Sequence, residues 1–455
     1  MVKDFSAIHE NVAAAQTKMS LLIRDCSWIV TQDATRKVLR NASVYVEDGL
    51  ITELGKDVTR DAERTIDGDG MILLPGLVNT HTHAPMVILR GYADDMPLQE
   101  WLAGKIWKLE PKMTSETCYW GTMLACMEMI ASGTTTFNDM YFFVDQEARA
   151  VETAGLRAVL SSVIIDASPD IKLQRDNASK VADFLLGLRN PLVRPAIAPH
   201  AVYSCSEETL MWAKERADRD DLCVHTHIAE TKVEQADMEK KRGLKVTEYL
   251  NKIGFLGSNV IGAHCVWLSS NEIKLLGRSG TKAAHCPVSN MKLAVGGVAP
   301  VPEMMASGVS VGLGTDGAAS NNSLNMFETM KFCALLHKHS RSDPTALPAQ
   351  AALDLATIGG ANVLGLDDKV GSIEIGKCAD LLLVDTRSPN LMPTHGNETV
   401  ISDLVYSANA GNVDTTIVNG RVLMERRQFT TLNSNSIVKN VGRVTEDLLR
   451  RASCS

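Results

Sequence analysis

The sequence predicts an α/β chain: a (β/α)8 TIM barrel with a small composite β-sandwich domain formed from both chain ends. Two observations predict it. In the middle of the chain, eight apolar, β-branched runs alternate with longer helical patterns over about 250 residues, the length of one such barrel. Before and after that stretch lie short alternating runs separated by tight-turn dipeptides.

Residues 1–18 mix charges with Ala and read as an N-terminal arm. The segment 19–74 carries the strand runs Met19–Ile23, Trp28–Thr31, Ala42–Glu47 and Leu50–Leu54, with Asp48-Gly49 as a hairpin turn. The barrel is expected over 75–375. Its strand runs are Leu73–Val78, Thr134–Phe137, Ala158–Ile165, Arg194–Ala198, Cys223–His227, Val260–Ala263, Lys282–Ala284 and Val309–Leu313. Helical patterns fall between them, as in Glu116–Ala131, Val144–Ala154, Ser179–Leu188, Ser206–Ala217 and Asn271–Leu276. Strands return over 376–440, at Ala379–Val384, Val413–Val418 and Arg421–Met424, with Asn419-Gly420 as a turn. Segments 19–74 and 376–440 then form one composite domain, and 441–455 is a C-terminal helix or tail. A doubly wound open sheet is the competing fold, and strand counting does not exclude it.

Of the 455 residues, 45% are hydrophobic and 22% charged, which suits an ordinary globular chain. A net charge of −8 weighs against a nucleic-acid partner, which would favour a basic surface. The ten Cys include no Cys-x-x-Cys pair and sit in apolar stretches, as at Cys126, Cys223, Cys265 and Cys333. They read as buried, reduced thiols of a cytoplasmic protein. No run approaches the roughly 18 apolar residues of a membrane span, and residues 1–18 lack a signal peptide's apolar centre.

The residues able to do chemistry cluster at predicted strand ends, where barrel enzymes build their sites. His81-Thr82-His83 follows an apolar run. Residues two apart on an extended segment face one side, so both imidazoles can address one ion. His225-Thr226-His227 ends another strand and is followed by Glu230. That adds a ligand-type nitrogen and a carboxylate able to take and return a proton. Further runs close on His264, on His285 and on Asp316, and Pro199-His200 follows a sixth. Taken singly, each is equally a buried, hydrogen-bonded side chain. Several such strand ends in a chain with 11 His argue for one site. His81, His83, His227 and Asp316 fit zinc or a related ion with an open position for water.

Two motifs are set aside. Gly312-Leu-Gly-Thr-Asp-Gly317 matches a dinucleotide fingerprint but lies late in the chain, and its Asp serves better at a strand end. The run Gly371–Cys378 resembles a phosphate-binding loop but ends in Cys, not the Ser or Thr that would hold magnesium.

This constellation resembles the amidohydrolase superfamily, specifically its mononuclear metal deaminases and, within them, the 5-methylthioadenosine/S-adenosylhomocysteine and 5′-deoxyadenosine deaminases. The resemblance rests on Pro75-Gly-Leu-Val-Asn-Thr-His81-Thr-His83, Pro199-His200, His227-Ile-Ala-Glu230, Ala263-His264-Cys265, His285-Cys-Pro-Val-Ser-Asn290, the run Gly314–Asn322 and Gly371–Asp385. It implies one divalent ion, zinc ahead of iron or manganese, on His81, His83, His227 and Asp316. It implies that Glu230 shuttles protons between water and the purine, while His264 and Asp316 orient that water. His200 would contact the purine, Trp101 would pack near the base or 5′ group, and Glu110 would bind ribose hydroxyls. Without the resemblance, Trp101 reads as helix packing and Glu110 as a surface charge.

The implied enzyme is a homo-oligomeric, cytoplasmic hydrolase that converts 5′-modified adenosines to inosine analogues and ammonia. No Lys stands in Arg194–His200 to bridge two metals, which favours one ion. Some relatives carry an Arg where this chain has Ser161-Ser162; Lys172 and Arg175 are the nearby cations that could replace it. Competing readings are dechlorination of an s-triazine, deamination of guanine or cytosine, and a catalytically inactive metal-binding relative.

Overall fold

The computed structural model describes residues 20–166 and 171–453, so the arm expected over 1–18 lies outside the described residues. Five strands precede the barrel: β1 (Ser20–Val30), β2 (Val38–Glu47), β3 (Leu50–Gly55), β4 (Arg64–Asp67) and β5 (Met71–Pro75). The runs expected at 19–23 and 28–31 are one strand, β1, interrupted by an irregularity between Ile23 and Cys26 that leaves Asp25 at φ 55.

The barrel strands are β6 (Leu77–Thr82), β7 (Thr134–Tyr141), β8 (Arg157–Ile164), β9 (Val193–Pro199), β10 (Cys223–Ile228), β11 (Val260–His264), β12 (Lys282–His285) and β13 (Val311–Leu313). They pair in parallel and in sequence order. Polar side chains close the seam between β13 and β6. Thr80 Oγ1 donates to Leu313 O at 2.9 Å, and Asp316 N donates to His81 O at 2.9 Å. The open-sheet alternative is thereby excluded.

The single run expected at Leu73–Val78 is two strands in two sheets. Its break is Gly76, where a Cβ would fall 2.0 Å from Thr135 Oγ1. Only a glycine lets the chain pass that point from β5 into β6.

After the barrel come β14 (Leu381–Asp385), β15 (Val413–Val418), β16 (Arg421–Glu425) and β17 (Gln428–Phe429). With β1–β5 they make one hydrogen-bonded sheet in the order β17-β16-β15-β14-β5-β1-β2-β3, β4 pairing with β1. The path curls until β3 meets the approach to β14: Ile51 N donates to Lys377 O at 2.9 Å and Ala379 N to Gly49 O at 2.8 Å. The sheet so encloses its own core of Ile23, Val44, Ile51, Leu73, Leu381 and Ile417. Both chain ends build this unit, as expected.

Two boundaries differ. Within 376–440, short turns of helix at Pro389–Leu391, Val400–Ser402 and Asp403–Ser407 bury Leu391, Val400 and Leu404 against the barrel layer instead of the composite core. The C-terminal helix runs Ser434–Ser453, starting before 441, and buries Ile437, Val444 and Leu448. Its polar stretch Asn433–Ser436 hides the start, because it also reads as a loop. Among the described residues, no helix is long and apolar enough to cross a membrane.

Candidate active site

β6 delivers His81, with His83 directly after its last residue, and β10 delivers His225 and His227, each pair two residues apart. β11 ends on His264, and Asp316 follows β13. One donor atom from each of His81, His227 and His264 lies within 4.8 Å of the others, and the same holds for His81, His83 and Asp316. Asp316 Oδ1 stands 3.4 Å from His81 Nε2 and 3.3 Å from His83 Nε2. The four expected ligands therefore converge, with His264 on the same cluster.

The outer nitrogen of each ring is held. His83 Nδ1 meets Met140 O at 2.8 Å, and His227 Nδ1 meets His200 O at 2.8 Å. A carbonyl only accepts, so each Nδ1 carries the proton and each Nε2 keeps its lone pair facing inward. His264 Nδ1 lies 2.9 Å from Asn290 Oδ1, and His81 Nδ1 lies 2.7 Å from His225 Nε2. His81 Nε2 is buried without a hydrogen-bond partner. Buried nitrogens of that kind ask for a partner, and converging imidazole and carboxylate donors suit a divalent ion.

Asp316 is anchored through three contacts. Ser289 Oγ and Ser320 Oγ donate to Oδ2 at 2.6 and 2.7 Å, and Gly317 N donates to Oδ1 at 2.7 Å. Burial opposes its charge, but hydrogen bonding to His81 and the neighbouring imidazoles outweigh burial and hold the carboxyl well below the usual range. Glu230 behaves oppositely: burial pushes its carboxyl up, with His264 pulling the other way. Two nearby acids are thus shifted in opposite directions by their surroundings. Glu230 Oε1 lies 3.9 Å from His264 Nε2. Behind it Glu234, raised to about 8 by burial and by the Glu230 charge, accepts from Glu230 N at 2.8 Å.

These groups open onto a pocket of about 620 Å³. Trp101, Glu110 and His200 all line it; Glu110 is partly buried and not a surface charge, while Trp101 also packs in the core as a helix residue would. Tyr141 Oη donates to Glu110 Oε1 at 2.9 Å. Burial, followed by the charges of His83, His81 and His264, lowers the His200 ring to about 3, so it is neutral. Most of the remaining wall is apolar, including Met86, Leu98, Leu102, Phe142, Val163 and Leu293.

Neither nearby cation serves the pocket. Arg175 pairs with Glu208 at 2.7 Å and bonds Thr209, and Lys172 is exposed. Ser161 donates to Asp139 O at 2.7 Å, leaving Val163 and Ile165 as the residues of that strand region that reach the pocket.

The supporting residues were less visible in the sequence. His225 carries no signal of its own beyond its place two residues before His227; Ser289, Asn290 and Ser320 fall within the motifs of the resemblance but have no role there. Tyr141 carries no sequence signal. His285 was counted among the strand-end histidines, but β12 turns it away from the site.

The amidohydrolase family profile matches residues 72–423. The 5′-deoxyadenosine deaminase of Methanosarcina barkeri (strain Fusaro / DSM 804) is 43% identical over 437 residues, covering 96% of this chain and 100% of that protein. A 5-methylthioadenosine/S-adenosylhomocysteine deaminase of Pelotomaculum thermopropionicum (strain DSM 13744 / JCM 10971 / SI) is 46% identical over 421 residues, covering 90% and 96%. The crystal structure of an adenosine deaminase from Xanthomonas campestris with bound zinc matches at a TM-score of 0.89 and 35% identity, covering 94% of this chain and 98% of that one. On the extent of these matches, together with a barrel whose strand ends converge on His81, His83, His227 and Asp316, the chain belongs to the amidohydrolase family.

Proposed function

We propose that the protein hydrolyses the C6–amino bond of the adenine ring in 5′-modified adenosines, consuming one water and releasing ammonia and the inosine analogue. The observation that carries this reading is the pairing of a buried Glu230, its carboxyl pushed up by burial, with a cluster of converging imidazole and carboxylate donors that opens onto a largely apolar pocket. His81, His83, His227 and Asp316 would hold the ion, and their nitrogen and oxygen donors favour zinc. Such an ion supplies a water-derived nucleophile near neutral pH.

The chain's own groups do the rest. Glu230 takes a proton from the attacking water and delivers it to purine N1; it then takes the second proton from the new C6 hydroxyl and gives it to the departing amine, leaving the C6 carbonyl. His264, fixed by Asn290, and Asp316, fixed by Ser289 and Ser320, orient the water and face the developing charge. His200 meets the purine as a neutral ring. Glu110, oriented by Tyr141, accepts from the ribose hydroxyls, and Trp101 packs on the nucleoside. A ribose-binding carboxylate favours nucleosides over triazines and free bases.

The pocket lining carries Glu110, Glu230 and Asp316 but, among the described residues, no Lys or Arg. A carboxylate on the 5′ group would find no cation there, and burying it unpaired is costly. Uncharged 5′ groups are therefore the preferred substrates. In a kcat/KM series, 5′-deoxyadenosine and 5′-methylthioadenosine are expected to exceed S-adenosylhomocysteine by about tenfold or more, the worth of roughly one lost charge-assisted contact. Equal values across the series would contradict this, and activity on free adenine matching the nucleosides would remove Glu110 from its role.

A further inference from the structure

Outside the barrel wall lies a second group of donor side chains that the reaction above does not use. Ala284 faces the barrel interior, so the alternation of β12 turns His285 outward, toward the helix Met326–Arg341. That helix carries Cys333 and His337, four residues apart and hence on one face. One donor atom from each of His285, Cys333 and His337 lies within 4.8 Å of the others. All three side chains are buried, and both nitrogens of both rings lack a hydrogen-bond partner. The two rings sit 5.3 Å apart between centroids.

Four unpartnered buried nitrogens in one cluster call for an account, since an unmade buried hydrogen bond is destabilising and interiors avoid it. The candidate active site carries a similar pattern, a buried imidazole nitrogen without a partner among converging donors. We infer that His285, Cys333 and His337 form a second metal site, which takes a soft, thiophilic cation, Zn(II) or Cu(I). Thiolate with imidazole selects such ions over magnesium or calcium. A tetrahedral ion holds its N and S donors about 3.3–3.6 Å apart, which modest ring rotations reach from the present spacing.

Binding breaks the Sγ–H bond of Cys333, forms the Sγ–metal bond and releases the proton to solvent. The ion would tie the helix to the strand end that leads into Ser289 and Asn290, which hold Asp316 and His264. Its role is structural support from behind the catalytic centre.

The test is a metal count on the full chain, compared between variants that remove one donor set at a time. After loading with excess zinc and removal of free ion, wild type is expected to hold about two zinc ions per chain. Cys333→Ser is expected to hold about one while keeping kcat/KM within about twofold, because its side chain touches nothing in the pocket. The double variant His81→Ala/His83→Ala is also expected to hold about one. With Co(II) in place of zinc, that double variant should show a thiolate-to-metal charge-transfer absorption that Cys333→Ser lacks. Parallel loading with Cu(I) under anaerobic, reducing conditions distinguishes the two cations. One ion per wild-type chain in both the zinc and the copper arms, or an unchanged count in Cys333→Ser, overturns the site. Should Cys333→Ser fail to fold, the double variant decides: loss of all metal and no thiolate absorption has the same consequence.

Discussion

Replacing Glu230 by Gln is expected to lower kcat by about 100- to 10,000-fold, the span that positioned proton transfer contributes. A thousandfold loss corresponds to about 4 kcal/mol of barrier. Gln keeps the shape and the burial but cannot carry a proton between water and purine. The carboxylate sits beside the donors that would hold the ion without being one of the expected ligands, so metal content should stay at the wild-type value. KM should move little, because the lost interaction belongs to the transition state. Glu234 is the nearest acid that could substitute, and its hydrogen bond with Glu230 N points it at backbone instead of the pocket. Activity within about twofold of wild type would remove Glu230 from the mechanism.

The second large effect concerns the ion. His83→Ala is expected to abolish retention of the catalytic metal and, with it, activity. Its ring brings one lone pair to the cluster, and nothing else on β6 can replace it. His225→Ala makes a graded contrast. His225 does not face the ion; it contacts His81 Nδ1 at 2.7 Å and so fixes which His81 nitrogen faces inward. Losing such support should weaken metal affinity by about 10- to 100-fold, recoverable with excess zinc. Isothermal titration of metal-free protein with zinc measures both. Unchanged affinity in His225→Ala would show that His81 is oriented by its backbone alone.

Much of the site was legible because strand periodicity is exact at two residues. Once β6 and β10 are strands, His81 with His83 and His225 with His227 must share faces. The same arithmetic carried the wrong message at His285, since it says which residues share a face and not which face looks inward. Only the register of β12 against its neighbours settles that. The break at Gly76 was hidden for a related reason: Leu73–Val78 is apolar throughout, and only the approach of Thr135 reveals where one sheet ends and another begins.

Loop geometry was the least legible part. Ala229, His264, Cys265 and Asp316 all take left-handed backbone conformations, at φ 51, 71, 49 and 63, beside the donor cluster. Nothing in those residue types predicts it; each costs energy that surrounding contacts must offset, and such positions gather at functional sites. The 5′ pocket was illegible too. Lys172 and Arg175 were sequence neighbours of the right strand, but Glu208 and Thr209 claim Arg175. Proximity in sequence offered the cations, and tertiary packing withdrew one to a helix and left the other exposed.

One measurement bears most directly on the account. Zinc-loaded protein is mixed with 5′-deoxyadenosine, and ultraviolet absorbance and released ammonia are followed together. The account predicts conversion of the adenine spectrum to that of the hypoxanthine ring, with about one ammonia per nucleoside consumed, and no conversion after chelation until metal is restored. An unchanged spectrum with fully metallated protein, or cleavage that frees adenine without ammonia, would contradict it.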